Sequence, residues 1–185
     1  YTPPSLQGTV VMPGVIGGGG RGGGAFDPVT GVLYVKATNN PAVSKLYEVT
    51  THSDTVQARY AAELGRTLGV RVAASDGERL PELPINKPPY GTLTAIDLNR
   101  GEHLWQIPLG DDPAMRSHPM LRGVALPPAL GVRGAPGPIV TRSGLLFVTG
   151  GGQVLYAIDA ADGRTLWQHD VGRVAYSVPM TYATR

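Results

Sequence analysis

An all-β fold built from β-propeller blades is what three features of this 185-residue sequence predict. A fifteen-residue segment that reads as a hairpin occurs twice. Short strand-like runs alternate with turn signals. Glycine and proline are abundant, at 26 and 17 residues, which punctuates a chain into short elements. Only 16% of residues are charged and 42% are hydrophobic, a balance that excludes long helical bundles and coiled coils. A net charge of +2 on an ordinary apolar content argues against disorder and gives no reason to expect nucleic acid as a partner. No apolar run reaches the roughly 20 residues that a membrane-spanning helix needs. With no cysteine, the chain has no disulfide, thiolate nucleophile or cysteine metal site. It opens Tyr1-Thr2-Pro3-Pro4, without an initiator Met or signal peptide, and is expected to be part of a longer polypeptide.

The repeat carries most of the prediction. Residues 92–106 read TLTAIDLNRGEHLWQ and residues 154–168 read VLYAIDAADGRTLWQ, identical at eight of fifteen positions with an offset of 62. Leu93 to Ile96 form a short strand, Asp97 to Gly101 turn, and His103 to Ile107 return as an outer strand bearing Trp105; Trp167 is its counterpart. Aspartate suits the turn because its carboxylate bonds nearby backbone N–H groups, and glycine because it tolerates positive φ. The two tryptophans are expected in equivalent environments. A second register pairs Gly31–Val35 with Gly144–Val148, each after a turn. Strands of this length recurring every few tens of residues describe propeller blades.

One helix is expected at Asp54 to Leu68, capped by Ser53, because Val56, Tyr60, Leu64 and Leu68 recur every four residues and Arg59 could pair with Glu63. It falls in an insertion of about residues 38–89 that ends in a proline-rich loop. At about sixty residues per unit the chain holds about three blades, whereas propellers close with about four to eight. The propeller is therefore expected to be incomplete, with bare apolar faces that need a companion.

The pattern A-I-D-x-x-x-G-x-x-L-W-Q resembles the tryptophan-docking motif of the quinoprotein dehydrogenases, which use pyrroloquinoline quinone (PQQ). Tyr1 to Thr9, Pro13-Gly14, Gly24 to Pro28, Pro88 to Thr92 and Pro179 to Tyr182 extend the likeness over nearly the whole chain, to the C-terminal part of membrane-type glucose dehydrogenases and their soluble relatives. The resemblance implies an eight-bladed propeller girdled by tryptophans, each flat against the next blade. Residues 1–185 would be its C-terminal portion. It implies hydride transfer from a sugar or alcohol hydroxyl to PQQ, with calcium as Lewis acid and an Asp as base, in the periplasm. The Asp and the calcium ligands belong to blades outside this chain, so the chain alone is expected to be inactive. Its implied partners are the remaining blades.

Two departures bear on the site. Family members carry Asn-Trp beside the quinone where this chain has Gly20 and Arg21, inside the run Gly17 to Gly24. These two positions are the cofactor-binding candidates: Arg21 suits the carboxylates of PQQ, or else is a solvated cation on a mobile loop. Gly150-Gly151-Gly152 stands where glucose dehydrogenases often place an Asp. These changes, at Gly20, Arg21 and Gly152, favour an alternative reading, a non-catalytic propeller that binds proteins. The glycine run also contains G-x-G-x-x-G, but Phe26-Asp27-Pro28 follows instead of a helix, so a flexible loop is the better expectation than a nucleotide site. His52, His103, His118 and His169 are scattered and predict no metal site. His118 alone could lie near substrate, or be a satisfied loop residue. Asp111-Asp112 reads as a turn rather than a carboxylate dyad.

Overall fold

The computed structural model describes residues 2–14, 17–50, 58–73, 77 and 79–182. Two compact units emerge: Tyr1–Gly17 with Asn40–Asn86, and Gly18–Asn39 with Lys87–Arg185.

The larger unit is two antiparallel four-stranded sheets. The first takes β2 (Gly18–Asp27), β3 (Val32–Thr38), β8 (Gly91–Asp97) and β9 (Glu102–Pro108) in the order β2-β3-β8-β9. The second takes β10 (Ile139–Val140), β11 (Leu145–Val148), β12 (Val154–Asp159) and β13 (Thr165–Asp170) in the order β10-β11-β12-β13. Each sheet is thus a meander of four strands, the blade pattern that the repeat predicts. Neither sheet closes on itself, so the propeller is partial. A four-residue helix, α1 (Pro113–Arg116), and a 3-10 turn at Pro119–Leu121 lie in the connection between the sheets.

Three Asp-x-x-x-Gly turns make the hairpins. At Asp27–Gly31, Asp97–Gly101 and Asp159–Gly163 the glycine N–H donates to the aspartate carbonyl, at 2.9, 2.7 and 2.9 Å. The carboxylates accept from N–H groups inside the turn, Asp97 from Asn99 at 2.8 Å and Asp159 from Ala161 at 2.9 Å. All three glycines have φ between 71 and 76°, which a side chain would disfavour. The repeat extends to its irregularity. Ala95 faces Trp105 and Ala157 faces Trp167, and in both hairpins the register slips at the next residue.

The core lies between these two sheets. Strand β3 alternates buried and half-buried residues along its length, placing Val32 and Tyr34 inward. They meet Leu93 and Ala95 from β8, and Leu146, Val148 and Ile158 from the second sheet. Trp105 bridges the layers: its ring centroid is 6.0 Å from that of Tyr34, and its indole N–H donates to the Ala160 carbonyl at 3.1 Å. Trp167, at the same place in the second hairpin, is 49% exposed and stacks on His169 with centroids 5.7 Å apart. The tryptophans share a secondary-structure position but not an environment. Trp105 has the next sheet over it, whereas Trp167 has none among the described residues.

The smaller unit contains a three-stranded sheet, β1 (Thr9–Val11), β4 (Ala42–Glu48) and β5 (Tyr60–Thr67), in the order β1-β4-β5, and a ribbon of β6 (Gly69–Val70) and β7 (Leu83–Pro84). Here the expected helix is overturned. From Tyr60 onward the segment is strand, antiparallel to β4 with Glu48 opposite Tyr60 and Ala42 opposite Thr67. Ser53, Asp54 and Val56 lie outside the described residues. The four-residue spacing of Tyr60 and Leu64 fits a two-residue period as well as a helical one, and pairing to β4 overrides the helix propensity of Ala61, Ala62 and Glu63. The Arg59–Glu63 pair does not form: Glu63 stands opposite Lys45, and the Arg59 guanidinium lies 5.4 Å from the Tyr60 ring centre.

Candidate functional site

The glycine run is a strand, not the flexible loop expected of it. Its ends pair with β3, Gly18 with Thr38, Gly19 with Ala37 and Gly24 with Val35. Between these pairs the four residues Gly20 to Gly23 bulge opposite the single residue Lys36. The inner side of the bulge is fixed by backbone packed on backbone. A Cβ on Gly20 would stand 2.9 Å from the Ala135 carbonyl oxygen, and one on Gly22 would stand 2.6 Å from the same atom. Gly137 in turn packs against the Gly22 and Gly23 carbonyls. Only glycine allows this approach, so the absence of an asparagine at Gly20 is matched by the closeness of Ala135. The bulge is packed from behind by backbone, a contact that composition does not reveal.

Because strand residues alternate, Arg21 faces away from this seam and is exposed. No hydrogen bond or ion pair engages it among the described residues. Gly23 beside it has open space where a Cβ would be. The outward side therefore offers one uncommitted guanidinium beside open space at Gly23. That chemistry fits an edge of PQQ, a flat tricarboxylate. Gly20, by contrast, occupies the seam.

Behind the bulge lies a group that sequence reading passed over. Lys36 is 1% exposed. Its ammonium donates to Thr38 Oγ1 at 2.8 Å, to the Val132 carbonyl at 2.9 Å and to the Gly134 carbonyl. Burial pushes it down to about 8 from the usual 10.5. The signal was present: Val32, Tyr34 and Lys36 share one phase of β3, which puts a charge on a face that two apolar neighbours mark as inward. The loop Gly150 to Gly152 closes over the same place. A Cβ on Gly150 would lie 2.6 Å from Leu109 Cδ2 and 3.3 Å from Lys36 Cε, Gly151 packs on Gly134, and Gly152 sits against Val132. The first two have φ of 60 and 86°.

A second polar cluster surrounds an open cleft of about 590 Å³ lined by residues that include Asp111, Arg133, Gln153, Tyr156 and Asp170. Its two adjacent carboxylates are occupied separately. Asp111 pairs with Arg116 and accepts from Leu130 N–H at 3.1 Å. Burial pushes its carboxyl up, but Arg116 and the N–H donors outweigh that and hold it below the usual value. Asp112 caps α1 by accepting from Met115 N–H at 3.1 Å and lies 3.6 Å from Arg133. The two residues lead into α1, with Asp112 as its N-cap, rather than forming a turn, and they do not form a proton-sharing dyad.

His118 is buried and its Nδ1 accepts from Met120 N–H at 3.2 Å, capping the 3-10 turn: a satisfied loop histidine. His103 is exposed in β9, His169 lies against Trp167, and His52 falls outside the described residues. Among the described residues no three His, Asp or Glu side chains gather as a metal site, so calcium is assigned to none of them.

Comparison with known proteins matches residues 1–185 to the family model described as PQQ, glucose/ethanol/alcohol dehydrogenase, beta-propeller domain. A quinoprotein glucose dehydrogenase of Gluconobacter oxydans is 30% identical over 202 residues, covering 99% of this chain and 24% of that protein. A quinate/shikimate dehydrogenase (quinone) of Acinetobacter baylyi is 27% identical over 191 residues, covering 98% and 23%. The chain thus spans about a quarter of the length of these relatives. Among solved structures, a quinohemoprotein alcohol dehydrogenase from Pseudomonas putida HK5 superposes with a TM-score of 0.58 at 15% identity, over 96% of this chain and 22% of that one, a likeness of fold.

Proposed function

Because this chain belongs to the PQQ-dependent glucose/ethanol/alcohol dehydrogenase β-propeller family, we propose that residues 1–185 form the C-terminal portion of such a propeller, with about residues 38–89 as an insertion. The complete protein would oxidise a sugar or alcohol hydroxyl to a carbonyl in the periplasm. Bound PQQ would supply a two-electron acceptor for the hydride that the substrate carbon gives up, while a base would take the hydroxyl proton. The base and the calcium ligands are assigned to blades beyond this chain, by resemblance.

This chain's own residues contribute binding and scaffold. Arg21 presents a guanidinium to a cofactor carboxylate, and Gly20 and Gly22 let the segment that leads into the second sheet brace the strand that carries it. Trp105 docks one blade on the next, and Trp167 offers the same contact to a further blade of the same protein. The observation that carries the cofactor assignment is the uncommitted Arg21 on a bulge packed from behind. Titration of the full-length apoprotein with PQQ tests it. Arg21→Gln should weaken binding about tenfold, the order of a lost charge-assisted hydrogen bond; an unchanged dissociation constant overturns it.

The departures at Gly20, Arg21 and Gly152 favour one other reading, a propeller that serves as a protein-binding scaffold. Full-length protein that fails to bind PQQ, and stays silent toward glucose, glycerol and quinate with PQQ and calcium supplied, would select it.

A further inference from the structure

Lys36 has no part in the function proposed above, yet its setting is specific. An ammonium has three N–H donors, and here each meets an oxygen: the Thr38 hydroxyl and the carbonyls of Val132 and Gly134. Thr38 also donates to the Gly134 carbonyl at 3.1 Å. No carboxylate shares the site. Strand β2 carries Arg21, exposed, and Asp27, held in its turn; β8 carries only Asp97, in its turn as well. Arg133, between the two accepting carbonyls, lies by Asp112, and the loop Gly150 to Gly152 carries no charge. A burial that costs the ammonium its hydration is thus compensated by three neutral oxygens, two of them on the segment that leads into the second sheet.

That segment continues directly into Ala135, Pro136 and Gly137, the backbone against which Gly20 and Gly22 pack, and the bulge stands opposite Lys36 itself. We propose that Lys36 is a positioning residue: its ammonium pins the Val132 and Gly134 carbonyls, which seats Ala135 to Gly137 against the glycine bulge and thereby fixes how Arg21 is presented. A neutral amine has two N–H bonds and a lone pair, so it must release one of the three oxygens. The seam is held in full only by the charged form. The link to PQQ rests on the reading of Arg21 given above; the link between Lys36 and the bulge does not.

The test uses the full-length protein in three forms, wild type, Lys36→Met and Lys36→Arg, and two readouts. Amide protection factors for residues 20–24 are compared with those of residues 93–95 on the same sheet, from about pH 6.5 to about pH 9.5, a span that brackets the Lys36 titration. PQQ affinity is titrated over the same range. Lys36→Met should lower protection of the bulge about tenfold at neutral pH, roughly the net worth of one hydrogen bond transmitted to the seam, while residues 93–95 hold. It should weaken PQQ binding by a similar factor. Opening of the bulge alone leaves the Lys36 amine buried, so this local step runs opposite to the pH dependence of global unfolding: wild-type protection should fall toward that of the variant as pH rises through about 8, and Lys36→Arg, whose guanidinium stays charged, should remove that step. Bulge protection that is unchanged in Lys36→Met, or flat with pH in the wild type, overturns the proposal. If Lys36→Met does not fold, a pH step that persists in Lys36→Arg overturns it equally. PQQ affinity indifferent to Arg21→Gln would remove the cofactor reading alone, since the protection factors still decide the role of Lys36.

Discussion

Trp105 lies against Gly163: a Cβ added to that glycine would stand 2.8 Å from the indole Cε3. The turn that the repeat encodes in one sheet is thus the seat for the aromatic ring that it encodes in the other. Gly101, the equivalent glycine of the first sheet, has nothing within 4 Å of a would-be Cβ. Both have left-handed φ, 76 and 71°, so alanine strains both backbones by about 1 kcal/mol or more. Only Gly163→Ala also displaces a ring. Urea unfolding should show Gly163→Ala the more destabilising of the two by about 1–3 kcal/mol.

The same comparison separates the tryptophans. Trp105→Ala empties a packed site between two sheets and breaks the bond to Ala160, for an expected loss of about 3–5 kcal/mol. In the 185-residue chain, Trp167→Ala removes a half-exposed ring and should cost less than about 1 kcal/mol. Denaturant midpoints measure both. On the proposed arrangement, in which a further blade covers Trp167, the two losses should converge in the full-length protein.

Lys36 gives a stability prediction whose sign is easily mistaken. Its amine titrates at about 8 when folded and near 10.5 when unfolded, so between these values the unfolded chain holds the extra proton. Raising the pH through that window therefore favours the folded state. The penalty for burying the charge is complete below about pH 8 and is relieved as the pH climbs toward 10.5. Relative to Lys36→Met, the wild type should gain stability across this interval, by up to about 3 kcal/mol. A difference in unfolding free energy that stays constant across it would contradict this.

Asp111 acts in the opposite direction. Its carboxyl is held low by Arg116 and by N–H donors, against the effect of burial. The stability this supplies is present above the ordinary carboxylate value and is lost as the pH falls through the lower folded value. The pair is about a third exposed on each side, so the effect is modest, about 1 kcal/mol or less. Asp111→Asn should flatten the acid limb of the thermal stability profile, lowering stability slightly at neutral pH and leaving it little changed in acid.

What was legible in the sequence followed from local rules. The hairpins are spelled by Asp97, Gly101, Asp159 and Gly163, whose backbone demands are intrinsic to the residue types, and the tryptophans follow at a fixed distance. Strand β5 was not legible because Tyr60 and Leu64 satisfy two periods at once, and the deciding partner, β4, is a separate segment of the chain. The packing of the glycine run depends on Ala135, more than a hundred residues away, and so has no local trace. Lys36 was visible as a charge out of phase with its strand, and its three acceptors again come partly from a distant segment. Function was legible only as resemblance: Arg21 departs from the family's pattern, and only the folded strand shows it facing outward with no partner.

The seat at Gly163 and the vacant one at Gly101 also impose a symmetry. Among the described residues of this pair of sheets, the ring of Trp167 has no glycine turn beneath it, and the first repeat's own glycine turn, at Gly101, has no ring above it. These lie in different sheets and answer each other, so the unit has a head and a tail. Two copies related by a twofold axis would set ring against ring or turn against turn, leaving both unsatisfied. Only head-to-tail addition satisfies both, and additions of that kind end in a closed ring or not at all. The angle at which one sheet follows the next, more than any property of the seat itself, then determines how many sheets the circle holds.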